Sequence, residues 1–378
     1  MAGVTATTDA AHMKILFCVA TMGPGGAERQ IVHLSEALTN AGCEVHVLLI
    51  RGGPNLDALE KSGATVHFLR VFPDALQFFY PIARKVRSIR PDVLYVWQRP
   101  FDVLGAIVGL ALGVPVVHAE RTDPGKVPYG FKVFLRNLLV PKAAGVIANS
   151  KSGEKYWRER VDANRVCRIQ NIIPYEKLES VRPSPEADGA LVAVGRLDAG
   201  KNVNMLLEAL AHLRGRGVIA PALIVGDGSD AAVMSTQAQL LGIQDQVRFT
   251  GYRRDSWNIM AGARAYISLS RYEGAPNSVM EAEALGCPMV LSDIPAHRHL
   301  MPKGRVLFAD PSSIHDIASA IEAIMSIDID PPAKNRSGVG VAEIRIREDQ
   351  TSASIAASHL EFFRRVLALS NEKQKGGL

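Results

Sequence analysis

Two carboxylates eight residues apart, Glu273 and Glu281, are the part of this 378-residue chain best suited to chemistry. They flank Gly274, Ala275, Pro276, Asn277, Ser278 and Val279. An apolar stretch (265–270) precedes this run, and an amphipathic stretch through Leu285, closed by Gly286, follows it. The first reads as a buried strand and the second as a helix, with a further apolar strand over 288–292. Glu273 then stands at the carboxyl end of a parallel strand, where open α/β sheets bind ligands. The amides of Asn277, Ser278 and Val279 open the helix and favour a phosphate. Glu281, one turn in, reaches for a hydroxyl on the same ligand. Phosphate donors and two hydroxyl-reading carboxylates on one junction suit a sugar nucleotide. A structural reading competes with this one, because Ser278-x-x-Glu281 also fits a capping box.

Similar loops recur along the chain. Gly195, Arg196 and Lys201 follow an apolar run, and the two bases can neutralise a diphosphate, including the charge that grows as it leaves. As an isolated pair they would read as surface bases. Gly226 with Asp227, and Tyr252 with Arg253, end the next two apolar runs and could cradle a base and ribose. In the first half, Gly25 and Gly26 form a tight strand-to-helix loop that lets backbone amides approach a phosphate or sugar. This is no dinucleotide fingerprint, since Glu28 replaces the third glycine and Arg51 stands where a ribose-binding acid belongs. His118, Glu120 and Arg121 end one strand and Asn149 the next, which makes them candidate contacts for an acceptor. A lone strand-end histidine is more often a structural residue.

These loops need a frame. Short apolar runs alternate with helical segments, which predicts an α/β fold of two Rossmann-like, doubly wound domains with mostly parallel sheets. Strands are expected over 14–20, 44–50, 65–69, 93–97, 114–119 and 145–149, with helices over 27–41 and 101–112. A Pro-, Glu- and Ser-rich break at 174–189 separates a second set: strands at 191–194, 222–225, 247–250 and 265–270, and helices at 203–214, 230–241 and 256–261. Residues 1–180 are thus expected to form one domain and 181–351 the other, with a last helix from 352, and 328–340 reads as loop.

Composition bounds the partners. With 47% hydrophobic residues both halves can bury a core. Residues 1–12 lack the apolar run of a signal peptide, and 103–117 is too short and broken to span a bilayer. Four cysteines without a CxxC pair read as reduced core residues of a cytoplasmic protein, and no metal site is expected. Residues 1–180 carry 22 Lys and Arg against 16 Asp and Glu, whereas the rest carry 21 against 22. Around Phe131 and Phe134, the bases Lys132 and Arg136 share a helix with large apolar groups. That helix could rest on an anionic membrane, or it could be a solvated face over a core. Nucleic acid is not expected, for no binding motif accompanies the charge.

Together these residues resemble the retaining glycosyltransferases of family 4, which have the GT-B fold of two Rossmann-like domains facing a cleft. The resemblance runs from Lys14 to about Ala309. Its most specific element is E-x7-E, matched by Glu273 and Glu281; Gly195-Arg196 with Lys201, Gly226-Asp227-Gly228, Gly25-Gly26-Ala27-Glu28 and Ala148-Asn149-Ser150 add to it. Residues 119–124 are similar to a segment of polysaccharide and lipid-linked glycan members. The resemblance implies that Arg196 and Lys201 bind the donor diphosphate, Glu281 the ribose and Glu273 the transferred sugar. It implies a last helix that crosses back to the first domain. The expected reaction is metal-free hexose transfer from a nucleoside-diphosphate sugar to a glycan or lipid-linked hydroxyl; the sequence does not identify the nucleoside, and UDP is expected before GDP. A sugar-nucleotide epimerase or hydrolase, or a non-catalytic sugar-nucleotide sensor, would use the same site. His118 lies outside any clear family motif.

Overall fold

In the computed structural model, residues 13–69, 75–98, 101–126, 130–300, 305–327 and 346–375 are described. The expected loop at 328–340 and the opening residues 1–12 lie outside them. The chain divides into two compact units, residues 1–172 with 348–378, and residues 173–347. The division falls ahead of the expected break because Tyr175, Leu178, Val181 and Ala187 are buried in a core cluster of the second unit.

Strands β1 (Lys14–Thr21), β2 (Glu44–Arg51), β3 (Thr65–Phe68), β4 (Val93–Val96), β5 (Val116–Glu120), β6 (Gly145–Ala148) and β7 (Val166–Arg168) build the first sheet. Their order is β3-β2-β1-β4-β5-β6-β7, and every pair is parallel. The second sheet holds β8 (Leu191–Val194), β9 (Ala222–Val225), β10 (Val247–Gly251), β11 (Ala265–Ser268), β12 (Met289–Ser292) and β13 (Val306–Ala309). Its order is β10-β9-β8-β11-β12-β13, again all parallel. In each sheet the winding reverses once, between β1 and β4 and between β8 and β11. Such a switch point leaves a crevice outside the carboxyl ends of its two strands.

Burial on both faces explains the nearly unbroken apolar strands, such as Leu191-Val-Ala-Val194 and Val93-Leu-Tyr-Val96. The helix Ser352–Lys375 belongs to the first unit, where Phe362, Phe363 and Val366 are buried with Phe17 and Tyr95. Tyr95 and Phe363 meet edge-on at 5.3 Å between ring centroids. Each buried phenylalanine contributes about 2 kcal/mol of transfer free energy, so this last helix completes the first core. Gly145 makes room for it: a Cβ there would lie 2.7 Å from the Phe362 ring.

Helices Ala75–Ile89 and Ile314–Ser326 and strands β7 and β13 add to the elements expected from sequence. Among the described residues no helix is long and apolar enough to cross a membrane. All four cysteines are free.

Candidate active site

Glu273 and the two bases Arg196 and Lys201 meet at the switch point of the second sheet. β8 delivers Gly195 and Arg196; a turn then brings Lys201 back beside the strand end. Asp198 Oδ1 accepts from the amides of Gly200 (3.0 Å) and Lys201 (3.2 Å) and fixes that turn. Asn202 follows in the left-handed conformation at φ 59°, which asparagine tolerates better than most residues. It is fully buried, donating to the Pro311 carbonyl (2.8 Å) and accepting from Arg271 Nε (2.9 Å).

β11 delivers Ser270 and Glu273. Lys201 Nζ lies 2.5 Å from Glu273 Oε1, and Ser270 Oγ donates to the same oxygen at 2.7 Å. Burial opposes the charged form of Glu273, but the Lys201 ammonium and these two hydrogen bonds outweigh it and hold the carboxyl below its usual value. Arg196 is exposed beside this pair, with no ion-pair partner among the described residues. A pocket opens here, lined by Arg196, Lys201 and Ser270 among others.

Gly274, Ala275 and Pro276 carry the chain from Glu273 into the helix Asn277–Ala284, where Glu281 is buried. The capping box is not formed. Pro276 is the N-cap without a side-chain bond, and the Ser278 hydroxyl instead accepts from Tyr266 at 2.8 Å. One expectation needs correction: the Val279 amide donates to the Pro276 carbonyl (3.1 Å), so the helix itself uses it.

Gly226 and Asp227 follow β9 beside this cluster. At Gly226 φ is +142°, and a Cβ would lie 1.8 Å from the Gly195 carbonyl oxygen. Only glycine lets the two strand-end loops approach so closely. Beyond β10, Tyr252 is exposed, and Arg253 is held by Asp255 (2.7 Å) and Glu186 (3.0 Å).

Three residues without a sequence signal support Glu273 from below. Ser292, at the end of β12, donates to the Ser270 carbonyl at 2.7 Å, and His297 Nδ1 lies 3.0 Å from both the Ser292 hydroxyl and its carbonyl. His297 is fully buried, and burial pulls its pKa down despite the neighbouring Glu273 carboxylate. Only spacing from the glutamates could have pointed to Ser270, Ser292 and His297.

The first unit carries the other candidates. Gly25 is the N-cap of the helix Gly26–Asn40. Two acceptor-side expectations are corrected. His118 is 1% exposed, has no hydrogen-bond partner among the described residues on either ring nitrogen, and is pushed down to about 3 by burial and the nearby Arg136. Glu120 is 2% exposed and pairs with Arg136 while accepting from Trp157 Nε1 (3.0 Å) and Thr122 Oγ1 (2.8 Å). Both are structural groups under the surface. Arg136 is likewise not a surface base: it is buried between Glu120 and Asp102, 3.0 Å from the latter. Arg121 and Asn149 do come together, through Asn171 Oδ1 at 2.9 and 3.4 Å.

Among the described residues no cluster of three or more His, Cys, Asp or Glu could hold a metal. A Glycosyltransferase Family 4 model matches residues 24–177, and a model of glycosyl transferases group 1 matches 175–337. The lipopolysaccharide core biosynthesis glycosyltransferase LpsD of Rhizobium meliloti is 24% identical over 351 residues, covering 91% of this chain and 96% of LpsD. A Campylobacter jejuni alpha-1,4-N-acetyl-D-galactosaminyltransferase, named for a diNAcBac-PP-undecaprenol-linked acceptor, is 25% identical over 279 residues, 71% of this chain and 76% of the relative. Anabaena HepE, solved with UDP and glucose, superposes with a TM-score of 0.72 at 20% identity over 96% of this chain and all of HepE. The chain therefore belongs to the glycosyltransferases of the GT-B fold, with a Family 4 first half and a group 1 second half.

Proposed function

We propose that this glycosyltransferase moves a hexose from a UDP-sugar to a hydroxyl of a glycan or lipid-linked acceptor, with retention of anomeric configuration. The observation that carries the reading is the trio Arg196, Lys201 and Glu273 at one switch point: two cations for a diphosphate beside a carboxylate for sugar hydroxyls. UDP in the solved HepE complex favours uridine over guanosine, and the lipid-linked acceptor named for the Campylobacter relative supports the acceptor class.

In this reading the donor diphosphate draws Lys201 from Glu273 and engages Arg196. Glu273 then receives sugar hydroxyls and Glu281 those of the ribose. The bond from the anomeric carbon to the phosphate oxygen breaks as the acceptor oxygen bonds on the same face. The departing phosphate takes the acceptor proton, and Arg196 and Lys201 stabilise its growing charge. Those two cations replace a divalent ion, so no metal or other cofactor is required. Thermal stabilisation by UDP, GDP and their sugars, with and without chelator, tests the donor and the metal independence. Arg196→Ala and Lys201→Ala should each lower kcat at saturating donor by on the order of 100-fold. Unchanged turnover in either variant would sink the leaving-group role.

The protein also docks peripherally on the cytoplasmic face of an anionic membrane. The helix Phe131–Leu139 exposes Phe131, Phe134 and Leu138 and packs beside the helix Phe101–Leu112, which exposes Ile107 and Leu110. Exposed apolar side chains on neighbouring helices, with Lys132 on one of them, fit an acyl boundary with anionic headgroups.

A further inference from the structure

At the carboxyl ends of β4 to β7 sits a guanidinium whose contacts are all neutral. Arg121, directly after β5, donates from Nη1 to Asn171 Oδ1 (2.9 Å) and from Nη2 to the Tyr95 hydroxyl (3.3 Å). Its plane covers Trp97, 3.6 Å from the ring centroid. Among the described residues its buried Nε has no partner and no carboxylate lies within ion-pair distance. The adjacent Glu120 is spent on Arg136, Trp157 and Thr122. Asn149, directly after β6, is 7% exposed; its Nδ2 faces Asn171, and its buried Oδ1 has no partner among the described residues.

A half-buried guanidinium keeps its charge, has five N–H donors and is costly to bury without a counter-charge. An orphaned amide oxygen beside it asks for a hydroxyl donor. Three neighbouring parallel strands present these groups at the edge where such sheets bind ligands. We infer that Arg121, Asn149 and Asn171 form a seat for a phosphate-bearing, hydroxylated group of the acceptor. Arg121 takes the anionic oxygens, Asn149 accepts from a hydroxyl, and Asn171 holds both side chains in place. The phosphate belongs either to a sugar phosphate in solution or to the headgroup of a lipid-linked sugar. This assignment deepens the acceptor side of the transfer reaction proposed above and rests on that reading.

Calorimetric titration of the full-length protein with UDP filling the donor site tests the seat, using inorganic pyrophosphate, glucose 1-phosphate, glucose and citronellyl diphosphate. The phosphate-bearing probes should bind at least about tenfold more tightly than glucose, and Arg121→Gln should weaken them about tenfold or more. UDP affinity should be unchanged in that variant. Preference for citronellyl diphosphate over pyrophosphate assigns the lipid source, and preference for glucose 1-phosphate the soluble one; either supports the seat. Asn149→Ala, which keeps the contacts of Arg121, should weaken glucose 1-phosphate and leave pyrophosphate alone. That comparison decides the matter if Arg121→Gln does not fold. The inference is overturned if no phosphate probe binds, if glucose binds as well as its phosphate, or if pyrophosphate affinity stays within about twofold in Arg121→Gln. Failure of UDP itself to bind would instead count against the donor reading, since pyrophosphate binding that depends on Arg121 can still be read without it.

Discussion

Acidification should loosen the first unit well before its carboxylates titrate. His118 and His359 are each 1% exposed and are pushed down to about 3, mainly by burial, from an ordinary 6.5. Both are therefore neutral in the folded chain, while the unfolded chain takes up a proton on each as pH falls through about 6.5. The folded value is the depressed one for a base, so stability drops with falling pH between about 6.5 and about 3. At pH 5 the unfolded state gains about 1.5 pH units of protonation at ~1.4 kcal/mol per unit, or about 2 kcal/mol per ring and roughly 4 for the pair. Glu120 is held below 4.5, so its contribution is lost only below that value and does not enter the comparison between pH 7 and pH 5. His118→Leu removes one of these rings and should reduce the loss between pH 7 and 5 by about 2 kcal/mol. Urea unfolding at both pH values, followed by fluorescence in a Trp257→Phe background, reads the first unit through Trp97 and Trp157. Equal pH dependence in wild type and variant would refute the buried-neutral account. Loss of transfer activity at pH 7 in the folded variant would restore His118 to the acceptor site.

Other perturbations test other parts. Gly226→Ala should abolish donor-dependent thermal stabilisation, because its Cβ collides with the Gly195 carbonyl in a backbone conformation that alanine resists; unchanged stabilisation by UDP would contradict the close approach. Arg136→Leu strands Glu120 and Asp102 as buried, uncompensated carboxylates and should cost about 3–5 kcal/mol in urea unfolding. Phe134→Glu should release the protein from anionic vesicles in sedimentation without changing its melting point, since that side chain is 48% exposed; undiminished sedimentation would move the membrane face elsewhere.

The alternation of apolar runs and helices was enough to read two parallel sheets, because strands buried on both faces leave strong, continuous signals. β7 escaped notice: it is three residues long and its sequence, Val-Cys-Arg, is only partly buried. The cluster of Arg196, Lys201 and Glu273 was legible from the loops that follow apolar runs. Burial was not. His118 and Glu120 end a strand just as Arg121 does, yet both are buried, Glu120 in the Arg136 network, whereas Arg121 stays half-buried at the carboxyl edge of the sheet. Ser292 and His297 gave no signal, since hydrogen bonds across β11 and β12 depend on pairing that one segment does not encode.

The return of residues 348–378 to the first unit bears on how the chain matures. In chain terms the second unit is an insertion. All of its strands emerge from the ribosome before Phe362, Phe363 and Val366, so it can close its core while the first still lacks a wall. Synthesis usually lets the N-terminal domain fold first; here the order reverses. The first sheet must wait for the last 24-residue helix, with the apolar faces of β1 and β4 uncovered for the length of an entire second unit. Nascent chains stalled before that helix are the form of this protein most in need of a chaperone.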